Sequence, residues 1–260
     1  MVAFQLAALA ATVFLAGCAA SGRLSFLRSE FDLLWRRAVA LLLLVAVLAA
    51  VVFYPIAAGK TRDAFEIDEI WFPALFLGHG VLVLFLVAWH VLVPASVLRR
   101  DPATRRTHLI ADVRVGAIAG IGGWVLTIAV TLSAALIATR VGLSPEPSGT
   151  IPPMIVWLAG LDAMRKLLVI AAAMLIEEAF FRGFLQTRFG LVLSTLLFTL
   201  AHANYGLPFM LIGVMTISLV IGRLYDRRRR LLPCIVAHGI FDAIQLLIVL
   251  PWAVRLGTAA

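Results

Sequence analysis

From residue 38 to residue 57 the chain runs for twenty positions without a charged side chain. Wound as an α-helix at ~1.5 Å of rise per residue, such a run covers the ~30 Å of hydrocarbon in a bilayer. Lipid offers no water to backbone N–H and C=O groups, so the segment must bond them internally, as a helix does. Runs of this kind recur along the chain, and they predict an all-α fold, a polytopic bundle of transmembrane helices. Composition agrees, with 63% of the 260 residues hydrophobic and 14% charged. A soluble domain is nearer half apolar and a quarter charged.

Residues 2–20 form the first apolar segment and contain Leu15-Ala16-Gly17-Cys18, which resembles the lipobox of bacterial lipoproteins. Residues 1–5 carry no positive charge, which a secretory signal has. Arg23, Arg28, Arg36 and Arg37 follow the segment instead. The expectation is an uncleaved span with its N-terminus outside and its basic flank in the cytoplasm. Residues 38–57 are the second span, and the acid-bearing loop 58–70 suits the outer side. Residues 71–98 are the third, with Trp71 and Trp89 as expected interfacial anchors. Arg99, Arg100, Arg105 and Arg106 return the chain to the cytoplasm. Residues 113–139 are the fourth, where Gly116, Gly120, Gly122 and Gly123 permit close helix packing.

The turn-rich stretch 141–153 divides N-terminal transmembrane helices, residues 1–140, from a second unit at 150–252. Residues 154–166 mix apolar side chains with Asp162, Arg165 and Lys166 and are expected to form one interfacial helix. Spans at 167–186, 191–203, 209–222 and 232–250 complete the set, with a short outer tail. About eight spans, N-terminus outside, put every dense arginine cluster inside, as in a plasma (inner) membrane. That pattern accounts for the net charge of +8, and no nucleic-acid motif is present. Cys18 and Cys234 have neither metal spacing nor a disulfide framework and read as small buried hydrophobes.

The second half carries ionisable residues deep within apolar helices, where each costs roughly 2.5–3.5 kcal/mol to insert. Ten apolar residues, 167–176, lead into Glu177, Glu178 and Arg182. His202, His238 and Asp242 follow on later spans. Helical rise puts Glu177 roughly 16 Å from Arg188, His202 roughly 18 Å from Gly190 and Asp242 roughly 15 Å from Leu232. His238 is shallower, at roughly 9 Å. Three helices thus deliver carboxylates and imidazoles to overlapping depths. Glu178 and Arg182 stand i,i+4 and can pair, while Glu177 points about 100° away. Phe198 with His202, and His238 with Asp242, repeat the i,i+4 spacing. A carboxylate among imidazoles in a dry pocket can activate water as a general base, with a nearby imidazole stabilising an oxyanion.

Glu177-Glu178-x-x-x-Arg182, Phe198-x-x-x-His202 and His238-x-x-x-Asp242, in this order on three apolar helices, resemble the motifs of one family. It is the CPBP family of intramembrane endopeptidases, the CAAX prenyl protease and bacteriocin-processing or Abi-domain type. The resemblance covers roughly residues 150–250. It implies Glu177 as the base, His202 holding or polarising the water, and His238 with Asp242 facing the substrate carbonyl. Glu178, Arg182 and Phe198 fall on supporting positions. The family's last motif ends in Asn or Asp; an ionised Asp242 cannot donate to an oxyanion, so that role rests on His238. Implied substrates are membrane-anchored C-terminal peptides, whether prenylated CAAX tails or leader and sorting segments, with membrane lipid the other partner.

No cofactor is favoured. A zinc ion on Glu177, His202 and His238 is the alternative, since three N/O ligands plus water is a catalytic arrangement, although no H-E-x-x-H pair is present. A non-enzymatic scaffold or transporter is the second alternative, without the internal repeats of many transporters. His79 and His90 have no carboxylate within their own span and are expected to pack. His108 lies in a cytoplasmic loop and is expected to be solvated. The run 227–230 is read as a topology determinant and a contact for anionic lipid.

Overall fold

A computed structural model describes residues 2–57, 72–94, 109–143, 153–203 and 208–259. The described residues form helices joined by short turns, with no strand among them. Helix α1 is Val2–Ala20, α2 the short Phe26–Glu30, α3 Leu34–Ala57, α4 Phe72–Leu92 and α5 Leu109–Arg140. Pro153–Gly160 is α6, residues 163–186 are α7, Thr187–Ala201 is α8 and Pro208–Arg228 is α9. The last, α10, spans residues 231–259.

Among the described residues six stretches are long and apolar enough to cross a membrane: Val2–Ala20, Leu34–Ala57, Phe72–Leu92, Leu109–Arg140, Phe209–Arg228 and Leu231–Leu256. The other two expected spans are helices as well. However, α7 carries its charged side chains inside the apolar stretch, and α8 is 15 residues long. Together they form a polytopic helical bundle, and this is an integral membrane protein.

Prolines explain two widenings of the helical turn. Pro55 and Pro251 lack an N–H and crowd the carbonyl four residues earlier. Each is preceded by i→i+5 turns, at Ala49–Phe53 and Ile244–Val249. Within α7 the stretch Ala173–Gln186 is wound in the same wide form and contains no proline. Such π-type turns are frequent at functional sites.

One core joins α1, α3 and α4 to α7 and α8, with Phe85, Trp89, Phe180, Phe184 and Phe189 at its centre. Helix α1 enters it through Ala7, Ala11, Leu15 and Cys18, a stripe at helical spacing. A second core joins α9 to α10 through Ile217, Ile221, Cys234 and Ala237, with Val115 and Ala119 of α5 against it. Both cysteines are free and buried. Packing therefore crosses the expected division at 140–150, because α5 lies chiefly on α9 and α10.

The arginine-bearing ends meet at one end of the bundle. Arg23 Nη1 donates to Phe189 O at 2.9 Å, and Arg188 Nη2 pairs with Glu30 Oε2 at 2.9 Å. Gln186 Nε2 donates to Asp226 Oδ1 at 2.9 Å, and Arg230 Nη2 pairs with the buried Asp112 Oδ2 at 2.8 Å.

Several expectations need correction. Trp89 is not an interfacial anchor: it is buried and its Nε1 donates to Glu30 Oε2 at 3.2 Å. The expected interfacial helix 154–166 ends at Gly160. Asp162 caps α7 by accepting from the Arg165 N–H at 2.9 Å, so Arg165 and Lys166 belong to the next helix. Lys166 is buried, its Nζ donating to Ala159 O at 2.8 Å. Arg230 has a partner beyond topology, Asp112. The final helix runs to Ala259, where a short tail was expected. Trp71, His108, the arginines 99–106, loop 58–70 and residues 144–152 lie outside the described residues.

Candidate active site

Four helices supply the polar groups. Glu177, Glu178 and Arg182 come from the wide-wound part of α7, and His202 stands just past the end of α8. His238 and Asp242 come from α10, and His79 comes from α4.

Glu178 and Arg182 are fully buried. Glu178 Oε2 accepts from Arg182 Nε at 3.1 Å, and Glu178 Oε1 accepts from His238 Nδ1 at 2.8 Å. Arg182 Nη1 and Nη2 both donate to Ser218 Oγ at 3.2 Å. The guanidinium also lies 5.2 Å from the centre of the Phe198 ring, a cation–π contact. Each charge is thus paired and hydrogen-bonded, the condition under which a buried ion pair is tolerated. Ser218 was not singled out in the sequence, because one serine in an apolar helix carries no distinguishing pattern.

His238 faces Asp242 with its other edge, Nε2 to Oδ2 at 3.4 Å, long for a hydrogen bond. Its ring meets Phe198 edge-on at 6.1 Å. His202 lies 4.5 Å from the Phe198 ring, and its Nδ1–H donates to Phe198 O at 2.8 Å. Both i,i+4 pairings are therefore present, and Phe198 sits between the two imidazoles.

Glu177 departs from expectation. Its hydrogen-bond partner is neither His202 nor His238 but His79, Nε2 to Oε1 at 3.1 Å. His79 was expected to do no more than pack. The assignment failed because its carboxylate partner lies 98 residues away, and spacing within one helix cannot show that. His90 is exposed. Likewise His238 belongs to Glu178 rather than Glu177, so Glu178 serves α10 as well as Arg182. His202 and His238 remain within electrostatic reach of the Glu177 carboxylate. Glu177 Oε2 is buried and has no hydrogen-bond partner among the described residues.

The zinc alternative needs Glu177, His202 and His238 to turn toward one point. Both His238 nitrogens face carboxylates instead. Among the described residues no three His, Cys, Asp or Glu side chains are arranged to hold a metal ion. The donor types would suit zinc, but as arranged these side chains do not fit a metal.

Residues 159–244 match the family model described as Type II CAAX prenyl endopeptidase Rce1-like. No curated protein and no solved structure matches the chain. The matched region contains Glu177, Glu178, Arg182, Phe198, His202, His238 and Asp242, and it lies in α6 to α10. Over this region, 86 of its 260 residues, the chain is similar to the Rce1-like CAAX-type endopeptidases, a likeness that supports a peptide-bond hydrolase.

Proposed function

We propose that Glu177 is the general base of this endopeptidase and that its substrates are membrane-anchored C-terminal peptides of the CAAX type. The observation that carries the reading is the convergence of Glu177, His202 and His238 from three helices, with one Glu177 oxygen left to act. Glu177 Oε2 takes a proton from water as the water oxygen adds to the peptide carbonyl. His202 donates through Nδ1 to Phe198, so its Nε2 is the ring atom able to accept from that water. His238, doubly protonated between Glu178 at Nδ1 and Asp242 at Nε2, offers its loosely held Nε2–H to the developing oxyanion. Asp242 orients that edge. Glu177 then passes its proton to the departing amine as the C–N bond breaks, leaving a carboxylic acid and an amine.

Glu178, Arg182 and Phe198 support this arrangement, and no metal has a part in it. Residues 150–252 supply Glu177, His202, His238 and Asp242, and the N-terminal helices, residues 1–140, add His79. The gathered arginine ends face the cytoplasm by the positive-inside rule. The N-terminus then lies outside a plasma (inner) membrane. An epitope placed before Met1 should react on intact cells; reaction only after permeabilisation contradicts the orientation. The functional test follows processing of membrane-anchored CAAX reporters in cells carrying wild type or Glu177→Ala. Processing is expected to stop in the variant, and processing at the wild-type rate would remove Glu177 from the mechanism.

A further inference from the structure

We infer that His79, from a helix outside the matched region, is a positioning residue that aims Glu177 at the reacting water. The inference rests on the reading of Glu177 as base and adds a component to it.

Helix α4 is apolar around His79, from Leu77-Gly78 to Val81-Leu82-Val83-Leu84. A polar ring in such a place is retained where it has a partner, and the partner is Glu177 Oε1 at 3.1 Å. The ionised carboxylate can only accept, so Nε2 carries the proton and His79 donates. Phe76, with its ring centre 6.1 Å away and tilted at 47°, steadies the imidazole from one turn earlier.

The consequence follows from the asymmetry of the two glutamates. Glu178 has both oxygens held, by Arg182 and His238. Glu177 has one oxygen held by His79, while Oε2 has no hydrogen-bond partner among the described residues. One donor fixes the plane of the carboxylate, and the second oxygen keeps its lone pairs for water. Holding a base in its productive geometry is worth about 10²-fold in rate when lost. His79 also ties α4 to α7, so the N-terminal helices complete a site whose other residues all come from 159–244.

The test uses the full chain in liposomes with an internally quenched peptide bearing a farnesylated C-terminal CAAX tail. His79→Leu should lower kcat about 10²-fold, with KM and the unfolding temperature unchanged. His79→Gln, whose side-chain amide can donate at the same place, should recover most of that loss. In a Glu177→Gln background His79→Leu should add nothing, because its effect passes through Glu177. Wild-type kcat in His79→Leu overturns the inference. So does an equal loss from His79→Leu with and without Glu177→Gln, or a loss that His79→Gln does not relieve. Glu177→Gln cleaving at the wild-type rate would instead overturn the reading of Glu177 as base, a separate outcome.

Discussion

Glu177 and Glu178 are neighbours in sequence and have no hydrogen-bond partner in common. Glu178 is closed off: a guanidinium on one oxygen, an imidazole on the other, no exposure. Removing Arg182 leaves that carboxylate with a buried charge and one donor fewer, and breaking a buried pair in this way costs about 3–5 kcal/mol. Arg182→Met is therefore expected to lower protein abundance and unfolding temperature together, measured in the same membranes. Wild-type abundance and stability would mean that the pair holds nothing together. The i,i+4 pairs were legible in the sequence, because helical geometry fixes which residues share a face. Links between helices were not. Spacing could not show that His238 reaches Glu178, that Ser218 meets Arg182 or that His79 reaches Glu177, since packing alone decides those partners.

At the level of elements, small residues set how closely helices approach. A Cβ on Gly116 would sit 2.6 Å from Pro233 O, one on Gly120 2.6 Å from Ala237 O and one on Gly123 2.6 Å from Ile217 Cδ1. Gly122 faces open space, so three of the four glycines expected to line an interface do so. Gly120 opposes backbone, which cannot step aside as a side-chain tip can. It also lies beside Ala237, the residue before His238. Gly120→Leu should therefore push α10 away, with a stability loss at or above the roughly 1–3 kcal/mol of ordinary overpacking. Activity should fall with it, and Gly122→Leu is the control that should leave unfolding temperature unchanged. Equal behaviour of the two variants would contradict this account of the α5–α10 contact. Helix positions were readable from apolar runs. The start of α7 was not, because the cap at Asp162 was hidden in a segment whose mixed polarity suggested the membrane surface. The wide winding at Ala173–Gln186 was also invisible, having no proline to announce it.

In the whole molecule, the matched region is embedded rather than free-standing. Phe180 and Phe184 of α7 pack edge-on against Phe85 of α4 at 5.5 Å and 4.8 Å. Arg188 lies 4.2 Å from the Phe184 ring centre while pairing with Glu30. The N-terminal helices thus brace α7 at several depths, and α5 braces α9 and α10. The sequence showed where the apolar helices run and the end at which arginines gather, because both follow from hydropathy and charge. It did not show that the N-terminal helices reach the site, since each apolar face reads alike. The central claim is a division of labour between two adjacent carboxylates, one for chemistry and one for structure. The most direct measurement compares Glu177→Gln and Glu178→Gln, full length in liposomes, for unfolding temperature and for hydrolysis of a farnesylated CAAX peptide. The account predicts that Glu177→Gln keeps the wild-type unfolding temperature and loses about 10²–10⁴-fold in kcat, while Glu178→Gln loses stability. A stable Glu177→Gln with wild-type kcat, or a Glu178→Gln as stable as wild type, would contradict it.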